Sequence, residues 1–149
     1  MAREITLSEY VRKRNGVPLG AKGSMKNMLE RSFGAGSFHL FWRYWNPIWG
    51  YYLSRNVMKP LRQYFSAGVA TILTFAVSGA AHDLAVAIIK WDAILFFTPW
   101  FAFMGIIVVV TNKFGISYAR YNWLTRMIVN FAFVSGSLGL MILFRSLFV

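Results

Sequence analysis

Apolar and polar positions divide the chain near residue 65. Beyond it lie three apolar runs, Ser66 to Ile89, Ala93 to Thr111 and Met127 to Phe144, separated by short polar breaks. The first would rise about 36 Å as a helix, enough to span a bilayer with tilt. The second carries Pro99 near its start, which a membrane helix tolerates when its neighbours satisfy the freed backbone groups. The third is somewhat short. The pattern predicts an all-α integral membrane protein with about three transmembrane helices.

Ahead of these runs the periodicity is amphipathic. Ile5 to Arg14 predicts a short helix opened by Thr6 or Ser8 and stopped at the Asn15-Gly16 turn pair. Ser24 reads as the N-cap of a second helix, with Met25, Met28, Leu29 and Phe33 on one face and Gly34-Ala35-Gly36 at its end. Such a helix lies in a membrane interface or packs on a partner subunit.

From Phe38 to Tyr52 the chain holds three of its six tryptophans. Phe38, Phe41, Trp42, Trp45, Trp49 and Tyr52 follow helical spacing and predict one broad aromatic face at the cytoplasmic interface, or dipping into it. Asn46 precedes Pro47, which disfavours helical geometry at the residue before it. Asn as N-cap with Pro at the first helical position is an ordinary helix start, and chemistry alone favours that role over a catalytic one. His39, beside these rings, reads as a polar surface or packing residue. Three regions result: residues 1–37, a basic cytoplasmic amphipathic segment; 38–65, aromatic interfacial or re-entrant helices; and 66–149, a three-helix transmembrane region.

Composition supports the membrane reading. Of the 149 residues 57% are hydrophobic and only 14% charged, where soluble domains carry about 25% charged residues. The net charge of +11 would suit nucleic acid, but long uncharged runs rich in Phe and Trp do not. Anionic lipid and phosphate groups are the expected counterparts, and no nucleic acid is expected. With no cysteine, disulfides, thiolate nucleophiles and cysteine metal sites are excluded. Two histidines, His39 and His82, make no metal cage, so no metal site is expected.

Eleven of the 16 Lys and Arg residues precede the first apolar run; Lys90 follows it, and Lys113, Arg120 and Arg126 lie between the second and third. The positive-inside rule then puts the N-terminal part and the loop from Asn112 to Arg126 in the cytoplasm and the C-terminus on the opposite side. The N-terminus lacks the apolar core and cleavage site of a secretory signal.

His82 is the candidate for chemistry, because an ionisable group in an apolar run faces a protein interior or a wet cavity. Thr71, Thr74, Ser78 and His82, offset by three, four and four, share one side of a helix. A buried neutral imidazole in such a stripe can accept a proton as a general base. The same stripe also suits hydrogen bonding between helices, with Gly79 and Ala80 permitting close approach, and the residues alone leave both readings open. Asp83 projects about 100° away around the helix, toward a basic residue at the outer interface or a partner.

Phe41-Trp42-Arg43-Tyr44-Trp45-Asn46, then Lys59-Pro60-Leu61, then Leu73 to His82 with its Ser78-Gly79-Ala80-Ala81-His82 ending, resembles the membrane-bound O-acyltransferase family. There an aromatic-Trp-Asn motif and a Ser-Gly-x-x-His motif flank the reaction chamber. The resemblance covers residues 38 to 84 and matches the C-terminal catalytic portion of longer enzymes. It implies that His82 is the general base drawing the proton from an acceptor hydroxyl and that Asn46 positions the thioester. Ser78, Trp45 and Arg43 are the implied substrate contacts. Arg43, Arg55, Lys59 and Arg62 would meet donor phosphates, though each alone is also an ordinary positive-inside anchor.

No bound cofactor is implied; acyl-CoA or an acyl-carrier thioester would be the donor, and a lipid, polysaccharide or protein hydroxyl the acceptor. Ala81 stands where many bacterial members have Trp, and Asp83 where Gly is frequent. A chamber that excludes water needs surrounding helices, so the implied partners are membrane lipids with other membrane chains or a homo-oligomer, in a bacterial inner membrane. The alternative is a non-catalytic subunit, derived from such an enzyme and packed in a larger membrane complex. A transporter or channel fits poorly, for lack of charged or broken-helix features at a midplane site.

Overall fold

The computed structural model describes residues 3–148, and all regular structure among them is helical. Helix α1 (Leu7–Asn15) opens with a reciprocal box: the Thr6 hydroxyl accepts from Glu9 N, and the Glu9 carboxylate accepts from Thr6 N. Gly16, at φ 80°, closes it. Helix α2 (Ser24–Phe33) starts differently from expectation. Gly23, at φ 82°, holds the cap position and Ser24 lies inside the helix. The left-handed Gly23 turns the chain into the helix one residue early, and the Ser24 hydroxyl instead accepts from Asn15 Nδ2 at 2.8 Å, tying α2 to the end of α1.

Helix α3 (Phe38–Tyr44), capped by Ser37, is followed after a break by α4 (Pro47–Leu53). The latter runs through a π-helical stretch, Ser54–Met58, into α5 (Lys59–Leu61). The chain then reverses, and Ser66 caps α6 (Ala67–Lys90), followed by α7 (Phe97–Lys113) and α8 (Trp123–Phe148). The predicted single aromatic face is divided at the break. Phe38 and Phe41 are buried with Ala35 and Val108, surrounded by Trp42, Trp45, Phe75 and Phe133, while Trp49 and Tyr52 lie on α4 and stay exposed. The rings of α3 thus belong to the core, whereas Trp49 and Tyr52 of α4 do not.

Helices α6 and α8, of 24 and 26 residues, are long and apolar enough to cross a membrane. In each, only 17% of the most apolar window is buried, so both present wide apolar faces outward. The third run is thus longer as a helix than its apolar core. The second is shorter: α7 has 17 residues and rises about 26 Å, against a hydrocarbon core of about 30 Å. It starts at Phe97 rather than Ala93 because Asp83 on α6 caps it there. Asp83 Oδ1 accepts from Phe96 N and Phe97 N at 2.9 and 2.8 Å, and Oδ2 accepts from Thr98 N at 2.8 Å and from the Thr98 hydroxyl at 2.6 Å. Among the described residues the buried Asp83 therefore has no basic partner; its carboxylate is met by the donor groups at a helix start.

The α6–α7 pair is a close antiparallel hairpin. A Cβ on Gly79 would fall 2.5 Å from the Phe97 carbonyl oxygen, and one on Gly105 3.0 Å from Ile72 Cα. Both close approaches are against backbone, which cannot swing aside. Gly79→Ala is expected to lower stability by about 1–3 kcal/mol through overpacking, read as a lower Tm in lipid nanodiscs. Gly136→Ala, where a Cβ meets nothing within 4 Å, should leave Tm unchanged or raise it.

A polar clip fastens the first third of the chain to the last. Asn130, fully buried on α8, donates through Nδ2 to Phe33 O at 3.0 Å and to Ala35 O at 2.9 Å, and its Oδ1 accepts from the Tyr118 hydroxyl. Burial pushes the Tyr118 hydroxyl up, so it remains a donor. Tyr118 N donates to Gly36 O at 2.8 Å, and Trp123 Nε1 to Glu30 O at 3.1 Å. The clip sets the height and angle at which α3 enters between α7 and α8.

Candidate functional site

The break after α3 is centred on Asn46, whose backbone takes φ 40°, ψ 69°. Few non-glycine residues enter this left-handed region, and Asn is among those that do. Its Oδ1 accepts from Trp49 N at 3.2 Å, and Pro47 occupies the first helical position. The expected capping role is therefore present. With Oδ1 committed, the two N–H groups of Nδ2 are the side chain's remaining donors.

His82 lies two turns before the end of α6. Its Nδ1 is 2.7 Å from Ser78 O. A carbonyl only accepts, so Nδ1 carries the proton in this bond, and Nε2 of the neutral ring is the acceptor. The ring centroid is 5.0 Å from that of Phe101 and 5.6 Å from that of Phe97. His82 is exposed rather than buried, which corrects the expectation of an enclosed ring: it borders an open hollow.

That hollow has a volume of about 990 Å³ and brings Arg43, Trp45, Asn46, Trp49, Ser78 and His82 to one wall system. It lies between the α4 side and the α6–α7 hairpin, and Trp49 bridges the two by donating from Nε1 to Ser78 Oγ at 2.9 Å. Thr71 and Thr74 also line it, but their hydroxyls donate to Ala67 O and Ala70 O of their own helix at 2.8 and 2.7 Å. Of the polar stripe, only Ser78 bonds another element through a strong donor; Thr74 adds a long contact to Met58 Sδ at 3.5 Å. Asn46 is exposed as well, so the hollow is open along one side.

The expected phosphate cations separate into two groups. Arg43 lines the large hollow, whereas Arg55 and Lys59 face a smaller pocket of about 360 Å³ together with Glu4. There Glu4 accepts from Arg55 at 2.7 Å and from Lys59 at 2.9 Å. The Lys59 hydrogen bond and the Arg55 charge hold the Glu4 carboxyl below the usual carboxylate range. Arg62 lines neither space. Arg14, Tyr10 and Lys113, not singled out in the sequence, do line the large one; no motif or periodicity in the chain pointed to them. Partial desolvation, then the charges of Arg43 and Arg14, hold His39 below the ordinary histidine range. Since His39 is an exposed residue, the like-charge repulsion is the sounder of these causes. Among the described residues no group of three or more His, Asp or Glu is placed to hold a metal ion.

No family model matches the chain, and no solved structure matches it. Over 94 residues it is 33% identical to diacylglycerol O-acyltransferase 1-2 of rice, Oryza sativa subsp. japonica; the stretch covers 62% of this chain and 19% of that protein. The chain thus spans under two thirds of the length of the relative it matches. This is a distant likeness to an acyltransferase, consistent with two apolar helices of membrane-spanning length. A plant relative gives no support to the expected bacterial inner membrane.

Proposed function

We propose that this chain carries the transfer site of a membrane-bound O-acyltransferase, which passes an acyl group from a thioester, acyl-CoA or acyl-carrier, to a hydroxyl acceptor. The observation that carries this reading is the meeting of Asn46 and His82, 36 positions apart in sequence, on the wall of one cavity large enough for two substrates. The Nδ1 hydrogen bond to Ser78 O fixes the imidazole so that Nε2 accepts the hydroxyl proton. The acceptor oxygen then bonds to the thioester carbonyl carbon and the carbon–sulfur bond breaks. The departing thiolate takes the proton back from Nε2, leaving a free thiol, an ester and a neutral ring. Asn46 Nδ2 donates to the carbonyl oxygen as negative charge gathers there, and Trp45, Ser78 and Arg43 form the substrate walls.

In this reading α6, α7 and α8 all cross the membrane, α7 at the lower limit of about 17 residues, with the N-terminal part and residues 112–126 cytoplasmic. The outward apolar faces of α6 and α8 meet lipid and the helices of other chains or of a second copy, which close the open side of the hollow. The non-catalytic subunit alternative is not better supported by the geometry.

The test is incubation of the full chain in nanodiscs with radiolabelled acyl-CoA and lipid alcohols as acceptors, following free thiol and labelled ester together. Equal release of both is the expected result. Label that stays on the donor with every acceptor, while the protein remains folded, would reject the proposal.

A further inference from the structure

The two motif residues of the proposed transfer site stand on different elements, Asn46 at the start of α4 and His82 on α6. A residue of neither motif joins them. Trp49 N donates to Asn46 Oδ1 at 3.2 Å, and its indole Nε1 donates to Ser78 Oγ at 2.9 Å. Ser78 in turn accepts from His82 Nδ1 through its carbonyl oxygen, at 2.7 Å. Three consecutive hydrogen bonds thus lead from the carboxamide to the imidazole, and Trp49 makes the first two.

Little else of a polar kind fixes α4 against α6. Among the described residues the bond from Trp49 to Ser78 is the only hydrogen bond between these two helices. The π-helical stretch after α4 adds the 3.5 Å contact from the Thr74 hydroxyl to Met58 Sδ, and a thioether is a weak acceptor. Ser78 is a firm anchor, at 6% exposure. Unlike the hydroxyls of Thr71 and Thr74, its own makes no bond to its helix among the described residues. An indole is rigid and turns about only two side-chain torsions, so a bond at its tip fixes the backbone behind it.

We propose that Trp49 is a positioning residue, a strut that holds the α4 wall with Asn46 at a set separation from the α6 wall with His82. Its N–H does this, not its bulk. The consequence for turnover rests on the acyl-transfer reading; the strut itself does not. Transfer needs the thioester carbonyl at Asn46 Nδ2 and the attacking hydroxyl at His82 Nε2 together, and a misplacement of about 1 Å costs about 10²-fold in rate.

The test replaces Trp49, in the full chain in nanodiscs, by Phe and by benzothienylalanine, which keeps the indole shape with sulfur in place of N–H. Because the chain has no cysteine, spin labels on Tyr52→Cys of α4 and Leu84→Cys of α6, both exposed positions, report the separation by pulsed electron spin resonance. Both replacements are expected to broaden a single narrow distance distribution. Trp91→Phe, which alters an exposed ring at the end of α6, should leave it narrow. In the chain without labels, kcat should fall by about tenfold or more with KM unchanged. On a Ser78→Ala background, Trp49→Phe should cost nothing further, because Ser78 is the group it acts through. A distribution that stays narrow with benzothienylalanine would overturn the inference. So would an undiminished kcat in that variant, or a loss that persists in full beside Ser78→Ala. If the unaltered chain transfers no acyl group, the function fails on its own account and the distances alone decide for or against the strut.

Discussion

His82→Ala is expected to abolish acyl transfer, lowering turnover by about 10²–10⁴-fold, the usual contribution of a positioned general base. The fold should survive, since the ring's hydrogen bond is to its own helix, at Ser78 O, and the residue is exposed. His82→Gln sharpens the result. Its amide can still donate to a carbonyl but cannot take up a proton at neutral pH, so it should be as inactive as alanine. Turnover measured beside the thermal unfolding of each variant decides the matter. Activity equal to that of the unaltered chain in either variant would move the proton acceptor to another residue.

Asp83→Ala is expected to be the most destabilising single change, at about 3–5 kcal/mol. The carboxylate answers three backbone N–H groups and one hydroxyl at the start of α7, and each donor left unpaired in a buried setting costs about 1–3 kcal/mol. Asp83→Asn keeps the size and one carbonyl oxygen, so its loss should be smaller. The order of Tm is then unaltered chain, asparagine, alanine. Identical Tm values would mean that the cap contributes nothing. Because Phe97 and Phe101 flank the His82 ring, a loosened α7 should also slow transfer in both variants.

The long helices were legible because their signal is local: apolar runs mark α6 and α8 whatever surrounds them, although the run behind α8 is somewhat short and its 26-residue length emerges only in the structure. Asn46 and His82 were legible as a motif pair, and their shared cavity could be expected from that pairing. The start of α7 was not, since its determinant is a carboxylate 13 to 15 positions upstream on another helix, outside any periodic window. The presence of Asp83 where Gly is frequent was visible, but its consequence required the close approach at Gly79. Nor does a count of basic residues tell which one faces a cavity: Arg55 and Lys59 turn to Glu4, while Arg14 and Arg43 turn inward. Asn130 could have been found by the reasoning that singled out His82, because a carboxamide in an apolar run also needs partners. Its partners, the carbonyls at Phe33 and Ala35, lie some hundred residues away in no recognisable pattern.

That separation governs biogenesis. Phe33 and Ala35 emerge from the ribosome 97 and 95 residues before the carboxamide that secures them. At about 5–20 residues per second, the α2–α3 corner waits roughly 5–20 s for its anchor. A nascent polypeptide stalled short of position 130 therefore lacks both the carboxamide that secures this corner and the Phe133 ring that packs on Phe38.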